Sequence, residues 1–161
     1  LSETPSTETL DLARIVRTVA TSARRRFPDA DVTIDVPETC PVSATGAIGQ
    51  AIEELIENAI THSDREAPAV EARIEAEKGT ARVNIADDGP GIPEMERAVL
   101  TGEADIDPLY HGSGLGLWLV NLIVGQSDGV LAFEENEPRG SVVTIRLPTV
   151  RGSSEPCSDR C

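Results

Sequence analysis

Three stretches of this chain carry side chains whose types and spacing suit chemistry. In the first, EELIENAITHS, Glu54 and Asn58 stand four residues apart and His62 follows one turn later. At helical pitch that spacing places them along one face. An Asn amide oxygen is a hard, neutral ligand, suited to a Mg²⁺ ion that also holds phosphate oxygens. Glu54 is placed to accept a proton from an attacking water or hydroxyl. Taken alone, the stretch reads more readily as an amphipathic helix with a solvated polar face. In the second, ADDGPGIP, Asp87 stands at a strand end ahead of Gly89 and Gly91, which let the backbone turn sharply and approach a ligand closely. A carboxylate there can accept from the exocyclic amine of adenine and would reject guanine, which presents a carbonyl. A tight acidic turn that merely solubilises the chain is an equal alternative.

The third stretch, HGSGLGLWLV, puts Gly112, Gly114 and Gly116 at the start of an apolar helix. Free N–H groups and the helix dipole at such an N-terminus favour phosphate. It is not a P-loop, because no Gly-Lys-Ser/Thr follows. The strand–GxGxxG–helix register and the downstream acidic partner of a dinucleotide fingerprint are also missing.

Hydrophobic periodicity indicates the elements that must hold these stretches. Leu12, Ile15, Val16 and Val19 fall at helical spacing, predicting a helix over about 10–26. Val32, Ile34 and Val36 alternate as a half-buried strand, and 37–41 reads as a turn. Ser43 suits the N-cap of a long helix whose apolar side carries Ile48, Ile52, Leu55, Ile56 and Ala59. Two strands, 70–75 and 81–86, are joined at Lys78-Gly79. Residues 94–112 show no clear period, as expected of a mobile loop. A helix over 114–124 and strands over 131–133 and 142–147 complete the chain. Helices and strands mix without regular βαβ alternation. The expected class is therefore a two-layer α/β sandwich, with a mixed sheet and helices on one face.

Bulk properties narrow the function classes. The 161 residues suffice for one domain with a sizeable core. Hydrophobic content of 39% with 26% charged residues suits a soluble globular protein. No apolar run approaches the roughly 20 residues a membrane-spanning helix needs. A net charge of −14 argues against unaided nucleic-acid or anionic-membrane binding. It also means that an anionic nucleotide must be held by local N–H groups and a metal ion. Lys78 is the only lysine and aromatics are 2%, a composition that resembles proteins of salt-loving archaea; GC-rich codon bias in an ordinary acidic protein is the plainer alternative. Cys40, Cys157 and Cys161 show no zinc spacing and read as incidental thiols in a reducing cytoplasm. The chain begins at Leu1 rather than Met, which reads as a fragment of something longer. Residues 1–9 read as a polar leader and 149–161 as a polar tail.

Together, in this order, the three stretches resemble the N, G1 and G2 boxes of the GHKL (Bergerat-fold) ATPase superfamily, which includes gyrase, the large heat-shock chaperones, histidine kinases and MutL. The resemblance covers about residues 10–148. It is closest to the catalytic ATP-binding domain of sensor histidine kinases, particularly haloarchaeal ones; the ending GSVVTIRLP is similar to that domain's closing strand. It implies a mostly antiparallel sheet and an ATP lid at 94–112. It further implies that Asn58 binds Mg²⁺ and that Asp87 contacts adenine, with Gly89, Gly91 and Ile92 at that end. Gly112, Ser113, Gly114, Leu115, Gly116 and Leu117 would line the phosphates. His62 falls where many relatives carry an aromatic that packs on adenine. Ser141 weakly matches a hydroxyl that helps bind it.

Two positions depart from the pattern. Thr61 stands where many histidine kinases have a phosphate-touching Lys. Glu54 stands where many have Asn, and looks more like the base of the GHKL ATPases and serine kinases. The lid stretch, ERAVLTGEADIDPLY, lacks the usual Phe-rich box. The resemblance implies a histidine kinase's catalytic half, a cytoplasmic monomer whose parent protein is soluble or membrane-associated. Its phosphoacceptor His would lie on a dimerisation domain absent from the chain, with a response regulator downstream. The alternatives are a GHKL serine/threonine kinase or ATPase using Glu54, and a non-catalytic nucleotide-dependent interaction module.

Overall fold

The computed structural model describes residues 7–90, 113–137 and 139–150, with only the backbone described over 113–117. Ten elements follow one another: β1 (Glu8–Asp11), α1 (Leu12–Arg26), β2 (Asp31–Asp35), β3 (Pro41–Ala44), α2 (Ile48–Thr61), β4 (Ala69–Glu77), β5 (Thr80–Asp87), α3 (Ser113–Gln126), β6 (Val130–Glu135) and β7 (Ser141–Pro148). Five strands form one sheet in the order β2-β4-β5-β7-β6. Only the β2–β4 pair is parallel; β4–β5, β5–β7 and β6–β7 are antiparallel. This is the mixed, mostly antiparallel sheet expected.

Alternation within the central strands makes the two layers. Val70, Ala72 and Ile74 of β4, Ala81, Val83 and Ile85 of β5, and Val143, Ile145 and Leu147 of β7 are buried. The intervening Glu71, Arg73, Glu75, Arg82 and Asn84 point the other way, as period two requires. Against the apolar face lie Ile48, Ala51, Ile52, Leu55, Ile56 and Ile60 of α2, with Val120, Ile123 and Val124 of α3 and Leu12, Val16, Ala20 and Ala23 of α1. With so few aromatics, the core is a close-packed set of Ile, Val, Leu and Ala.

The N-terminal region departs from the sequence reading. Residues 8–11 form a strand, where a polar leader and the first helical turn were expected. β1 pairs antiparallel with β3, Leu10 opposite Val42. Ser43 therefore lies inside a strand and caps no helix. The N-cap is Ala47, with no side-chain cap, and Thr45 orders the turn before it: its hydroxyl accepts from the Ala47 N–H at 3.2 Å and its carbonyl from the Ile48 N–H at 3.1 Å. Helix α1 is capped instead by Asp11, whose Oδ1 accepts from the N–H groups of Ala13 at 3.1 Å and Cys40 at 2.8 Å. A buried hydroxyl joins two further elements: the Thr45 N–H donates to Ser127 Oγ at 3.0 Å, and that hydroxyl donates to the Ile123 carbonyl at 3.0 Å.

Cys40 corrects the expectation of incidental thiols. It is fully buried and disulfide-bonded. The Cys40 region lies beside the end of β7, where Val42 bridges Thr149 and the Val150 N–H donates to the Pro41 carbonyl at 3.4 Å. Cys157 and Cys161 lie outside the described residues. So do residues 94–112, where the mobile lid was expected. Among the described residues, no helix is long and apolar enough to cross a membrane.

Candidate nucleotide site

Helix α2 forms one wall. Glu54 and Asn58 are both half-buried, one turn apart, as their spacing predicts. The Asn58 Nδ2 atom is buried and, among the described residues, has no hydrogen-bond partner. Buried amides are almost always paired, so an orphaned one on a wall is a group shaped for a ligand. Amide N and O are assigned from their partners, and without a partner either atom can face the bound group. Burial raises the Glu54 pKa first of all, and the neighbouring carboxylates of Glu57 and Glu53 add to it against the opposing Arg26 charge. Arg26 itself is engaged with Glu53 and Glu57. His62 ends the helix, exposed, with its N–H donating to the Asn58 carbonyl at 3.0 Å.

Strand β5 delivers the second wall. Asp87 continues the parity of Ala81, Val83 and Ile85, so its carboxylate faces the helix layer. Asp87 Oδ1 is fixed by two backbone donors, the N–H of Gly89 at 2.9 Å and that of Ser141 at 3.3 Å. Among the described residues no hydrogen bond reaches Oδ2. One oxygen is thus anchored while the other remains to accept from a ligand. Desolvation raises the Asp87 pKa and Asp88 adds to the rise, offset by the Gly89 and Ser141 N–H groups and by Arg139.

The β6–β7 hairpin closes over this turn. Gly140 has φ 105°, and a Cβ there would lie 2.0 Å from the Asp87 carbonyl oxygen, so only glycine fits. Asn136 Nδ2 donates to that carbonyl at 2.7 Å. Arg139 donates through Nε to the Gly89 carbonyl at 3.1 Å and through Nη2 to Asp64 Oδ2 at 2.7 Å. That pairing, with its hydrogen bond as the largest cause, lowers the Asp64 pKa. Arg65 Nε in turn donates to the Asp88 carbonyl at 3.2 Å and pairs with its carboxylate. The loop after α2 is thereby brought against the turn after β5: a Cβ on Gly89 would stand 3.6 Å from Ser63 Cα.

The structure therefore brings Glu54, Asn58 and His62 onto one helix, and Asp87 and Gly89 against the loop that follows it. Ser141 reaches the site through its backbone N–H, and its side chain is buried. Ser113, Gly114, Leu115, Gly116 and Leu117 form the first turns of α3, as expected of a helix that opens on glycines. Gly91, Ile92 and Gly112 lie outside the described residues. Sequence reasoning missed Asp64, in the polar loop after α2, and Asn136, Arg139 and Gly140, whose only local signal is a turn-rich segment ahead of β7. A separate cleft of about 510 Å³ opens on the outer sheet face. Its Arg73 and Arg82 are already paired with Glu71, Glu75 and Glu77, and it holds none of the residues just described.

Residues 44–151, well over half of the chain, match the family model of histidine kinase-, DNA gyrase B-, and HSP90-like ATPases. The chain belongs to that family. Within it, this ATPase domain falls with the catalytic, ATP-binding domains of sensor histidine kinases. It is 29% identical over 142 residues to the sensor-type histidine kinase PrrB of Mycobacterium tuberculosis, covering 86% of this chain and 31% of that protein. It is 28% identical over 137 residues to the histidine-protein kinase/phosphatase MprB of Mycolicibacterium smegmatis, covering 83% and 28%. The domain thus spans about a third of the length of these relatives. Among solved structures, the ATP binding domain of PrrB from M. tuberculosis superposes with a TM-score of 0.71 at 25% identity, over 90% of this chain and 98% of that one. A mycobacterial MprB structure gives 0.70 at 28%, over 88% and 96%.

Proposed function

We propose that the domain binds ATP with Mg²⁺ and passes the γ-phosphoryl group to a histidine on a separate dimerisation domain of its parent protein. The observation that carries this reading is the Asp87 carboxylate, anchored at Oδ1 and, among the described residues, without a hydrogen bond at Oδ2. Such a carboxylate accepts from the adenine amine and meets a repelling carbonyl in guanine. Gly89 would shape that end of the pocket, Gly91 and Ile92 would join it, and His62 at the end of α2 would pack on the base. The orphaned Asn58 amide fits a hard cation, and Asn58 would hold Mg²⁺ jointly with the nucleotide's phosphates. When bound, that ion neutralises charge that builds on the transferring phosphoryl group. Ser113 through Leu117 open α3, where backbone N–H groups favour anionic oxygens, and Gly112 would join them. The protein's part in the transfer is then to orient and to desolvate, since the chemistry resides in the nucleotide and its acceptor.

The half-buried Glu54, with its raised pKa, suits a general base that receives the acceptor's proton. In a serine/threonine kinase or ATPase the same residue would activate a hydroxyl or water, but the sensor-kinase relatives favour a histidine acceptor. A response regulator would take the phosphoryl group next, and the isolated domain would be monomeric. The −14 charge with a single lysine supports a salt-adapted protein. Incubation with the parent's histidine-bearing helical hairpin, labelled ATP and Mg²⁺ should yield acid-labile phosphohistidine. Acid-stable phosphoserine, or label released only as inorganic phosphate, would overturn this reading.

A further inference from the structure

The base end of the site is held together by residues far apart in the chain. The loop after α2 and the turn after β5 already meet at Asp88, whose carbonyl accepts from Arg65 Nε and whose Oδ1 accepts from the Ala69 N–H at 3.3 Å. Arg139 spans them from a third element. Its Nε donates to the Gly89 carbonyl at 3.1 Å while its Nη2 reaches Asp64 Oδ2 at 2.7 Å. One guanidinium thus grips both walls at two angles, which the planar fork of Arg allows and the single ammonium of Lys does not. The same hairpin grips Asp87 directly, through Asn136 Nδ2 on its carbonyl and the Ser141 N–H on Oδ1. Gly140, beside Arg139, is pressed onto the Asp87 carbonyl. Apart from the Arg139–Asp64 pair, every contact of the hairpin tip named here converges on the three residues Asp87 to Gly89.

We propose that Arg139 and Asp64 form a clasp that positions the Asp87–Gly89 turn for base recognition, so that Arg139, a positioning residue, sets the preference for adenine over guanine. This inference rests on Asp87 being the base acceptor. The pair is exposed, with side chains 38% and 52% accessible, and exposed ion pairs add little to fold stability. Its effect therefore lies in the geometry of the Gly89 carbonyl and the carboxylate two residues earlier. Releasing Arg139 frees Gly89, whose N–H anchors Asp87 Oδ1, and a misdirected Oδ2 no longer discriminates an amine from a carbonyl. The phosphate end, on α3, is untouched.

The test measures Mg·ATP and Mg·GTP affinities of the whole chain by calorimetry, alongside the melting temperature without nucleotide. Arg139→Ala should weaken ATP binding about tenfold, the size of one lost hydrogen bond to a charged group. GTP binding and the melting temperature should stay near the wild-type values. Arg139→Lys should recover part of the loss, by keeping the pair with Asp64. Asp64→Asn should move the ATP/GTP ratio in the same direction, and the double variant Asp64→Asn/Arg139→Ala should be no worse than Arg139→Ala alone. An unchanged ATP/GTP ratio in Arg139→Ala, or equal weakening of both nucleotides, would overturn the clasp while leaving ATP binding intact. Should Arg139→Ala unfold, the ratio in Asp64→Asn decides in the same way. A wild-type chain that shows no preference for ATP would instead overturn Asp87 as the base acceptor, and the clasp with it.

Discussion

Replacing Asp87 by Asn separates binding from folding with a single atom. The amide oxygen of Asn can accept from the Gly89 and Ser141 N–H groups as Oδ1 does now, so the turn keeps both anchors. What changes is the second position, where an acceptor oxygen becomes an NH₂ donor facing the amine of adenine. The lost interaction is a hydrogen bond to a charged group, worth about 1.5–3 kcal/mol. At about 1.4 kcal/mol per tenfold, ATP affinity should fall by roughly 10- to 150-fold. Stability of the nucleotide-free protein should move the other way. Burial opposes the charged form of Asp87, and Asn removes that charge at constant shape. The melting temperature should hold steady or rise. Calorimetric titration with Mg·ATP, in salt sufficient to screen the acidic chain, measures the first quantity and a thermal melt the second. An ATP affinity within twofold of wild type in Asp87→Asn would refute the assignment. A large drop in melting temperature would show instead that the carboxylate's charge serves the fold.

The same group sets a pH dependence. The folded pKa of Asp87 is raised above 3.8, so its protonated form contributes stability that is fully present below that value and is lost as pH rises through the folded pKa. ATP binding needs the carboxylate, and on acidification its affinity should begin to fall at a higher pH than an ordinary Asp would give; the loss should vanish in Asp87→Asn when affinity is followed against pH. Asn58→Ala should leave the fold almost unchanged, since Nδ2 has no partner to lose, yet abolish the difference in ATP affinity measured with and without Mg²⁺. Gly140→Ala forces a positive-φ alanine onto the Asp87 carbonyl. It should cost about 2–4 kcal/mol, from strain plus overpacking, and lower the melting temperature by roughly 4–16 °C. Ser127→Ala orphans the buried Thr45 N–H and should cost about 1–3 kcal/mol in a urea titration.

Much of this was legible because local patterns and tertiary demands agree. The stripe Ile48, Ile52, Leu55, Ile56 is long enough to dictate a helix and its buried side, which fixes where Glu54 and Asn58 point. Lys78-Gly79 marks the β4–β5 turn, where Gly79 takes φ 75°. Strand β1 was hidden because ETLD is short and polar, and becomes a strand only by pairing with β3. That same pairing draws Ser43 out of its expected capping role. The Asp64–Arg139 pair, 75 residues apart, and the Thr45–Ser127 bond, 82 apart, were obscured by distance along the chain. Such contacts are set by how the layers meet, and neither periodicity nor turn chemistry reports on that.

The central claim is a nucleotide pocket that reads adenine through Asp87 and engages phosphate through Mg²⁺ at Asn58. Its most direct measurement is calorimetric titration of the wild-type chain with ATP and GTP, each with and without Mg²⁺. The account predicts one site per chain, preferring ATP over GTP and tightened by Mg²⁺. No heat with Mg·ATP, or equal affinity for the two nucleotides, would contradict it.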